Sequence, residues 1–378
     1  MTVVDLRRAE PGLLVIAPDG APLVTDAAPG LDVLVLEVVG GHLSWALDGG
    51  ELPAAVLDDV EAAQDWVWAV YGEAVALVVA GNHPQSLTAE PARPDLVTAL
   101  RRLAYAHWAS RWWPASTVDG IPSLDARLLL DEIESLSGTC EMVLDANSGD
   151  GESALSGGAG LREMEIEHGD NAGSDDGGGA SGSRKQDGAA GRRADSHGES
   201  RGRADDYALA AGGQDRVGGL IVARGSGGWD WRRCPPGILD ASEQAVSWQV
   251  TRASGVSTAQ VSVVAAPDCR STVPDHLRPF ARVRSVAPDD RAASPPSADV
   301  AIALQLRGDV WTGTAEIPGT PETSLEVTVF VPAVGPAEPA EDEAAARDRI
   351  RGFARRRLAG GDLRLNAETV AAETDEDF

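Results

Sequence analysis

The sequence reads NSGDG at 147–151, SDDGGG at 174–179 and GGQD at 212–215, within a stretch that decides how the chain is organised. This stretch runs from 146 to 217, and 17 of its 72 residues are glycine. Aromatic and β-branched side chains are almost absent from it, so it buries too little apolar surface to offset the entropy lost on ordering. We therefore predict a long disordered linker that joins two separately folded parts.

The 378 residues leave about 145 residues before this linker and about 160 after it, and each part is long enough to bury its own core. The predicted organisation is a folded domain at 1–145, the linker at 146–217, and a second domain at 218–335. A helix at 340–360 and an acidic tail at 361–378 complete the chain.

Short apolar runs at 13–17, 33–39 and 43–47 predict three strands in the first domain. Residues 43, 45 and 47 are apolar and alternate with smaller residues, which is the period of a half-buried strand. The Gly40-Gly41 pair predicts a tight hairpin between the second and third strands. This part of the domain is therefore expected to be a short β-meander.

Apolar residues then recur at helical spacing in three segments, each opened by a proline. The first proline is Pro53, the second is Pro94, and the third is Pro122. Pro114 is expected to end the second helix. The first domain is thus predicted to be an α+β domain, in which the meander is followed by three helices.

The part from 218 to 335 shows the period of two that is typical of strands. Its predicted strands lie at 219–223, 229–231, 245–251, 261–263, 281–283, 302–306, 310–317 and 325–331. Turn residues such as Pro288-Asp289-Asp290 separate them. Six to eight short strands at this spacing predict a mainly-β antiparallel sandwich-like domain.

A terminal helix is predicted at 341–358, with acids in its first turns and arginines in its last turns, as the helix dipole favours. Its basic end is a candidate surface for an acidic protein partner or for RNA, and the alternative is the solvated face of a docked helix. The candidate binding residues there are Arg351, Arg355, Arg356 and Arg357. The acidic residues from Glu368 onward are expected to be disordered.

Arg111-Trp112-Trp113 is the second candidate binding surface, because tryptophan and arginine are enriched at protein-binding hot spots. Two adjacent tryptophans cannot both face the same way on a helix. The alternative is an aromatic plug between the second and third helices. Trp229 and Trp231 alternate around Asp230, which predicts packing under the turn at 235–237, with sugar binding by an exposed aromatic pair as the alternative.

The formal charge of −27 argues against binding of duplex nucleic acid, which requires a basic surface, and against an anionic membrane. The acidity favours solubility, and it can also attract basic partners. The apolar run at 13–17 is shorter than the core of a signal peptide. The apolar run at 74–80 is shorter than a membrane span. We therefore expect a cytoplasmic protein.

No phosphate-binding loop, nucleophile elbow or metalloprotease motif occurs in the sequence. The three cysteines, at positions 140, 234 and 269, lack the spacing of a disulfide framework or a zinc site. We predict no catalytic residues, no cofactor and no metal. The alternative is an enzyme, hydrolase-like, with a site in the first domain near His83 or His107.

These observations favour a non-enzymatic adaptor, with two folded modules on a flexible tether that bind protein partners of unknown identity. Such a protein could belong to a multi-protein bacterial system. This hypothesis depends on the linker, on the missing catalytic motifs and on the two candidate surfaces.

Overall fold

The computed structural model describes residues 2–9, 12–25, 29–81, 84–144, 219–286, 299–318, 324–336, 343–360 and 364–375. The predicted linker at 146–217 lies outside the described residues. The described ranges confirm the predicted fold class, with a strand meander and helices before the linker. An antiparallel sheet domain with a terminal helix follows it. We call residues 2–144 the N-terminal half and residues 219–375 the C-terminal half.

Strands of the N-terminal half run antiparallel in one sheet. The six strands among the described residues are β1 (Thr2–Arg8), β2 (Leu14–Pro18), β3 (Val33–Val38), β4 (Gly41–Ala46), β5 (Ala54–Leu57) and β6 (Gln85–Ala89). Their order across the sheet is β3-β4-β5-β2-β1-β6. The meander is therefore larger than the three strands predicted, since β1, β5 and β6 were missed.

The predicted hairpin at Gly40-Gly41 joins β3 to β4, and Val38 pairs with Gly41. Gly40 has a φ of 74°, a conformation that favours glycine. A Cβ atom on Gly41 would lie 2.1 Å from the carbonyl oxygen of Val56 in β5. Glycine at this position therefore allows β4 to pair closely with β5.

Helices of the N-terminal half pack against this sheet and against one another. Four are present in the described residues: α1 (Val60–Tyr71), α2 (Glu73–Gly81), α3 (Pro94–Trp112) and α4 (Ala126–Thr139). The prediction of three helices was short by one, because residues 60–81 form two helices that meet at Gly72. The predicted start of the second helix at Pro94 is confirmed.

Two of the predicted helix starts were wrong, because aspartates rather than prolines begin these helices. Residues after Pro53 form β5, and the side chain of Asp59 accepts hydrogen bonds from the backbone at the start of α1. The side chain of Asp125 caps α4 in the same way, three residues after Pro122. A capping carboxylate satisfies backbone N–H groups that have no partner inside the helix.

Strands of the C-terminal half form two antiparallel sheets. The strands described there are β7 (Leu220–Gly227), β8 (Val246–Ala253), β9 (Val256–Val264), β10 (Phe280–Val286), β11 (Asp299–Ala303), β12 (Gln305–Arg307), β13 (Val310–Ile317) and β14 (Ser324–Phe330). One sheet has the order β12-β13-β9-β8-β7 and the other β11-β10-β14. The chain passes from one sheet to the other at the buried Leu304.

The predicted strand at 229–231 was wrong, because the alternation of two tryptophans there is coincidental. Trp231–Arg233 is a turn of 3₁₀ helix whose first backbone groups are capped by the side chain of Asp230. Trp229 and Trp231 are both buried. Their predicted packing near the turn at 235–237 is confirmed, since they line a common cleft with Pro236 and Gly237.

The terminal helix α5 (Glu343–Ala359) lies within the predicted range of 340–360, but the expected disorder from Glu368 onward was wrong for 368–375. Residues 366–375 are helical and form helix α6 (Asn366–Asp375). Glu368 is fully buried, and it accepts hydrogen bonds from the backbone N–H of Leu365 and from Arg357 of α5. The tail therefore folds because its glutamate serves as a cap and as an ion-pair partner.

Helices α5 and α6 pack against the N-terminal half. Glu132 of α4 accepts a hydrogen bond from the backbone N–H of Asn366 at the start of α6, at 2.8 Å. The Tyr105 hydroxyl of α3 donates to Glu368 at 2.5 Å. Phe353 of α5 makes edge contacts with Tyr105 and Trp108. Buried apolar residues of the two halves consequently belong to one contiguous cluster.

Asp240 is the buried polar centre of the junction between the halves. Its carboxylate accepts hydrogen bonds from the Ser116 hydroxyl at 2.7 Å and from the backbone N–H of Thr117 at 2.7 Å. It also accepts one from Ser242 in its own half at 2.9 Å. Burial raises the pKa of Asp240, while these donors act in the opposite direction by stabilising the carboxylate. The donors from both halves thus offset part of the cost of burying its charge.

A second polar group, Glu243, fixes α5 on the C-terminal half. The Arg347 guanidinium donates to both carboxylate oxygens of Glu243, at 2.6 and 3.0 Å, and Arg351 donates at 3.1 Å. Burial opposes ionisation, but the hydrogen bonds and positive charges of Arg347 and Arg351 prevail and lower the pKa of Glu243. Arg351 also lies 3.6 Å from Asp119 of the N-terminal half, so this cluster reaches across the junction.

Replacing Asp240 with asparagine tests the junction. The amide of Asp240→Asn can accept hydrogen bonds through one atom only, so either Thr117 and Val118 or Ser116 and Ser242 lose their acceptor. We expect the free energy of unfolding in urea to fall by about 1–3 kcal/mol. Asp268→Asn, at an exposed aspartate of the same half, should change it by less than about 0.5 kcal/mol. Equal effects of the two substitutions would contradict this role for Asp240.

Glu243 predicts a specific dependence of stability on pH. Because its pKa is lowered in the folded protein, its contribution is present above the ordinary glutamate pKa and is lost as the pH falls through the lowered value. As the pH falls from about 5 to about 3, the free energy of unfolding of Glu243→Gln should therefore decrease less than that of the unsubstituted protein. The matched control is Glu316→Gln, at an exposed glutamate of β13. Its free energy of unfolding should fall with pH as steeply as that of the unsubstituted protein.

Candidate interaction site

The predicted surface at Arg111-Trp112-Trp113 lies where α3 ends. Trp112 is the last residue of the helix, and Trp113 adopts an extended conformation that turns the chain away from it. Both tryptophans are partly buried against the core. The indole N–H of Trp113 donates to the carbonyl of Pro122 at 2.9 Å, which fixes this ring against the segment before α4.

Arg111 is exposed and lies beside Trp112, with its guanidinium carbon 4.9 Å from the centroid of the indole ring. A guanidinium over an indole face is stabilised by a cation–π interaction. The pair therefore presents a flat surface with one positive charge at the end of α3.

Trp229 and Trp231 of the C-terminal half meet this surface and complete a cleft of about 40 Å³. We call it the tryptophan cleft. Its remaining walls include Ala115, Cys234, Pro236, Gly237, Leu239, Ala241 and Ala266. A hydrogen bond of 3.1 Å from the backbone N–H of Ala241 to the carbonyl of Ala115 joins the halves at its base. The cleft thus exists only where the two halves are in contact.

The four indole groups of the cleft differ in their hydrogen bonding. Trp229 donates to the backbone carbonyl of Asp240 at 2.7 Å. Trp231 is also buried, but its N–H has no hydrogen-bond partner in the described part of the chain. Buried indole N–H groups are normally paired, because an unpaired one has lost its bond to water without replacement. Trp231 is consequently the residue of the cleft whose polar group is unsatisfied.

Cys234 lies in the wall of the cleft as a free thiol. Burial raises the pKa of the Cys234 thiol far above its usual range, with a smaller contribution from the nearby Cys269. Burial likewise raises the pKa of Cys140 to about 11. A thiol with a raised pKa is a poor nucleophile, because the thiolate is the reactive form. Cys234 therefore contributes an apolar wall rather than a reactive group.

The candidate arginines of α5 have separate environments. Arg351 is buried among Glu243, Asp119 and Asp348, and Arg357 donates to both carboxylate oxygens of Glu368, at 2.9 and 2.6 Å. Both of these guanidinium groups are therefore engaged within the chain.

Arg355 and Arg356 lie further out on α5. The Arg355 side chain pairs with Asp119 at 3.0 Å and is 46% exposed. The Arg356 side chain is 66% exposed and lies 4.0 Å from Asp48. Of the four predicted binding residues on this helix, these two face solvent, and neither of them lines the tryptophan cleft.

Of the two histidines of the alternative enzyme prediction, the structure describes His107. His83 lies outside the described residues. The His107 side chain is exposed on α3, and we find no hydrogen bond or ion pair to it within the described ranges. No group of three or more histidine, cysteine, aspartate or glutamate side chains in the described parts is placed to hold a metal ion.

Sequence reasoning found both tryptophan pairs but did not place them together. They are separated by more than 110 residues, which include the predicted linker. No local periodicity encodes such a contact. Asp240 and Trp229 hint at such a contact, because a buried carboxylate and a buried indole N–H each require a hydrogen-bond partner. The sequence does not identify the partners.

Comparison with protein family models, with curated proteins and with solved structures finds no match for this chain. Among the helices that the structure describes, none has the length and apolar character needed to cross a membrane.

A pair of matched substitutions tests the hydrogen bonding in the cleft. Trp229→Phe and Trp231→Phe remove similar volumes from buried positions, but only Trp229→Phe also removes an indole N–H that has a partner. We expect Trp229→Phe to lower the free energy of unfolding by about 1–2 kcal/mol more than Trp231→Phe does, as measured by urea denaturation. Equal losses would contradict the unpaired state of the Trp231 N–H.

Proposed function

We propose that this protein is a non-enzymatic adaptor of the cytoplasm, which binds a protein partner at the tryptophan cleft. No residue pattern in the sequence identifies this partner. A place in a multi-protein bacterial system is part of the same proposal.

The observation that supports this proposal is the convergence of Trp112 and Trp113 with Trp229 and Trp231 at one cleft beside the exposed Arg111. Tryptophan and arginine are the residue types most enriched at energetic centres of protein interfaces. A cleft of about 40 Å³ with aromatic walls has room for a small apolar group of a partner, such as a methyl, while the Arg111 guanidinium can pair with a carboxylate next to it.

The alternative interpretation is that the tryptophans only fill the junction between the halves. Under that interpretation, Arg111 would be a surface residue whose charge is irrelevant to any partner. A change of charge at Arg111 separates the two interpretations, because this side chain is exposed and its substitution leaves the buried rings in place.

The sequence alone predicts a tethered adaptor whose two modules move freely. Hydrogen bonds at Asp240 and the packing of α5 and α6 on the N-terminal half favour a different form. In that form the two halves act as one unit, and the cleft between them is a composite surface. Arg355 and Arg356, which are exposed on α5, are the part of the basic helix that remains available for an acidic partner.

Affinity capture with the full chain tests the proposal. The immobilised protein, Arg111→Glu and Arg127→Glu are each exposed to a lysate of the source organism, and the captured proteins are identified by mass spectrometry. Arg127 is an exposed arginine of α4 in the same half, so its reversal is the matched control. Thermal unfolding of all three proteins verifies that the fold is retained.

We expect at least one protein to be captured by the unsubstituted chain and by Arg127→Glu, and to be lost with Arg111→Glu. A reduction of tenfold or more corresponds to about 1.4 kcal/mol of binding free energy, which is within the range of a single charged contact at an interface. Capture of the same proteins in the same amounts by all three would contradict a binding role for the cleft.

A further inference from the structure

Strand β7 ends the five-stranded sheet of the C-terminal half. It pairs with β8 on one side, and no strand in the described ranges pairs with its other side. A strand at an edge presents unpaired backbone N–H and C=O groups, which can pair with another extended chain. β7 is eight residues long, and it contains neither proline nor lysine, two residue types that commonly protect such an edge.

The start of β7 is unusually apolar for an exposed position. Leu220 is 72% exposed and Ile221 is 54% exposed. Val256, at the same end of the sheet, is 44% exposed. Leu220 pairs with Arg252 and Ile221 with the adjacent Thr251, so these two exposed side chains lie on opposite faces at the open edge, where one added strand would contact both.

The pairing register with β8 places the side chains of β7 on two faces. Ile221 lies opposite Thr251 and Arg224 lies opposite Gln249. Because Thr251 and Gln249 are two residues apart on β8, Ile221 and Arg224 lie on the same face of the sheet. A β-bulge between Ile221 and Ala223 produces this arrangement.

Charge distinguishes this edge from most of the molecule. Arg224 is exposed, and so is Arg252, which lies opposite Leu220 on β8. Within the part of the chain that the structure describes, neither arginine has an ion pair, and β7 carries no carboxylate. In a chain of net charge −27, this edge is therefore locally positive.

We infer that the free edge of β7 binds an extended segment of a partner protein by strand addition. The segment pairs its backbone with β7, places apolar side chains beside Leu220 and Ile221, and places a carboxylate beside Arg224. Backbone hydrogen bonds supply affinity in this mode, and alternate side chains supply specificity. A second copy of this chain fits less well, since its own β7 has no carboxylate to meet Arg224 and each copy carries −27.

This site is separate from the tryptophan cleft, so it is tested independently of the proposed function. The probe is a fluorescein-labelled octapeptide of four consecutive valines and four consecutive glutamates, which can place valine beside Leu220 and Ile221 and glutamate beside Arg224. It is titrated into the full chain and followed by fluorescence anisotropy. The same peptide with lysine in place of glutamate is the control for charge. Hydrogen exchange, measured with and without the acidic peptide, reports whether the backbone of β7 becomes paired.

We expect saturable binding of the acidic peptide, weakened about tenfold or more by Arg224→Glu and by Ile221→Lys. Thr314→Lys, at an exposed position on β13, an interior strand of the same sheet, should leave the affinity unchanged. Exchange of the amides at 220–227 should slow on binding. Arg111→Glu should have no effect, which separates this site from the cleft.

Three results would overturn the inference. The first is no saturable binding of the acidic peptide at about millimolar concentration, the weak end of the ordinary affinity range. The second is equal binding of the acidic and lysine peptides, or binding without slower exchange in β7. The third is a dimer in sedimentation experiments that Ile221→Lys dissociates and Arg224→Glu does not, which would assign the edge to a second copy of the chain.

Discussion

A fully buried carboxylate, that of Asp240, is the constraint on which the arrangement of the two halves depends. A charge can be buried only where hydrogen-bond donors replace the water that it loses. Asp240 receives donors from Ser116 and Thr117 of the N-terminal half and from Ser242 of its own half. Separation of the halves would remove two of these donors at once. The segment around 116–117 and the segment around 240–242 are therefore fixed relative to each other.

The same principle holds α5 and α6 in place, and it determines where the tryptophan cleft forms. Glu243 is paired with Arg347 and Arg351, and Glu368 is paired with Arg357, so both glutamates have arginine partners on α5. The junction that these polar contacts stabilise brings Trp112 and Trp113 together with Trp229 and Trp231. The tryptophan cleft therefore exists only while the two halves are in contact. Because the hydrogen bonds of Asp240 maintain this contact, binding of a partner at the cleft depends on them.

Local patterns predicted the elements that have a strong period or clear end signals. Strand β13 was predicted at 310–317 and α3 from Pro94, and both have these bounds. Elements were missed where a distant contact decides the conformation. The run at 54–57 reads as the start of a helix but is strand β5, because it fills the gap between β4 and β2. Helix α6 is polar and acidic, and a distant contact stabilises its start: Glu132, more than 230 residues away, accepts a hydrogen bond from the backbone N–H of Asn366. For the same reason, Trp112 and Trp113 were predicted as a binding surface, whereas Trp229 and Trp231 were predicted only to pack under a turn.

The central claim, that the two halves form one unit through Asp240, is tested most directly by cutting the chain between them. A recognition sequence for a site-specific protease is inserted after residue 179, the protein is cleaved, and the products are separated by size-exclusion chromatography at low micromolar concentration. We predict that the two fragments elute together at the volume of the intact chain, and that they separate when Asp240 is replaced by alanine. Separate elution of the fragments with Asp240 intact would contradict the claim.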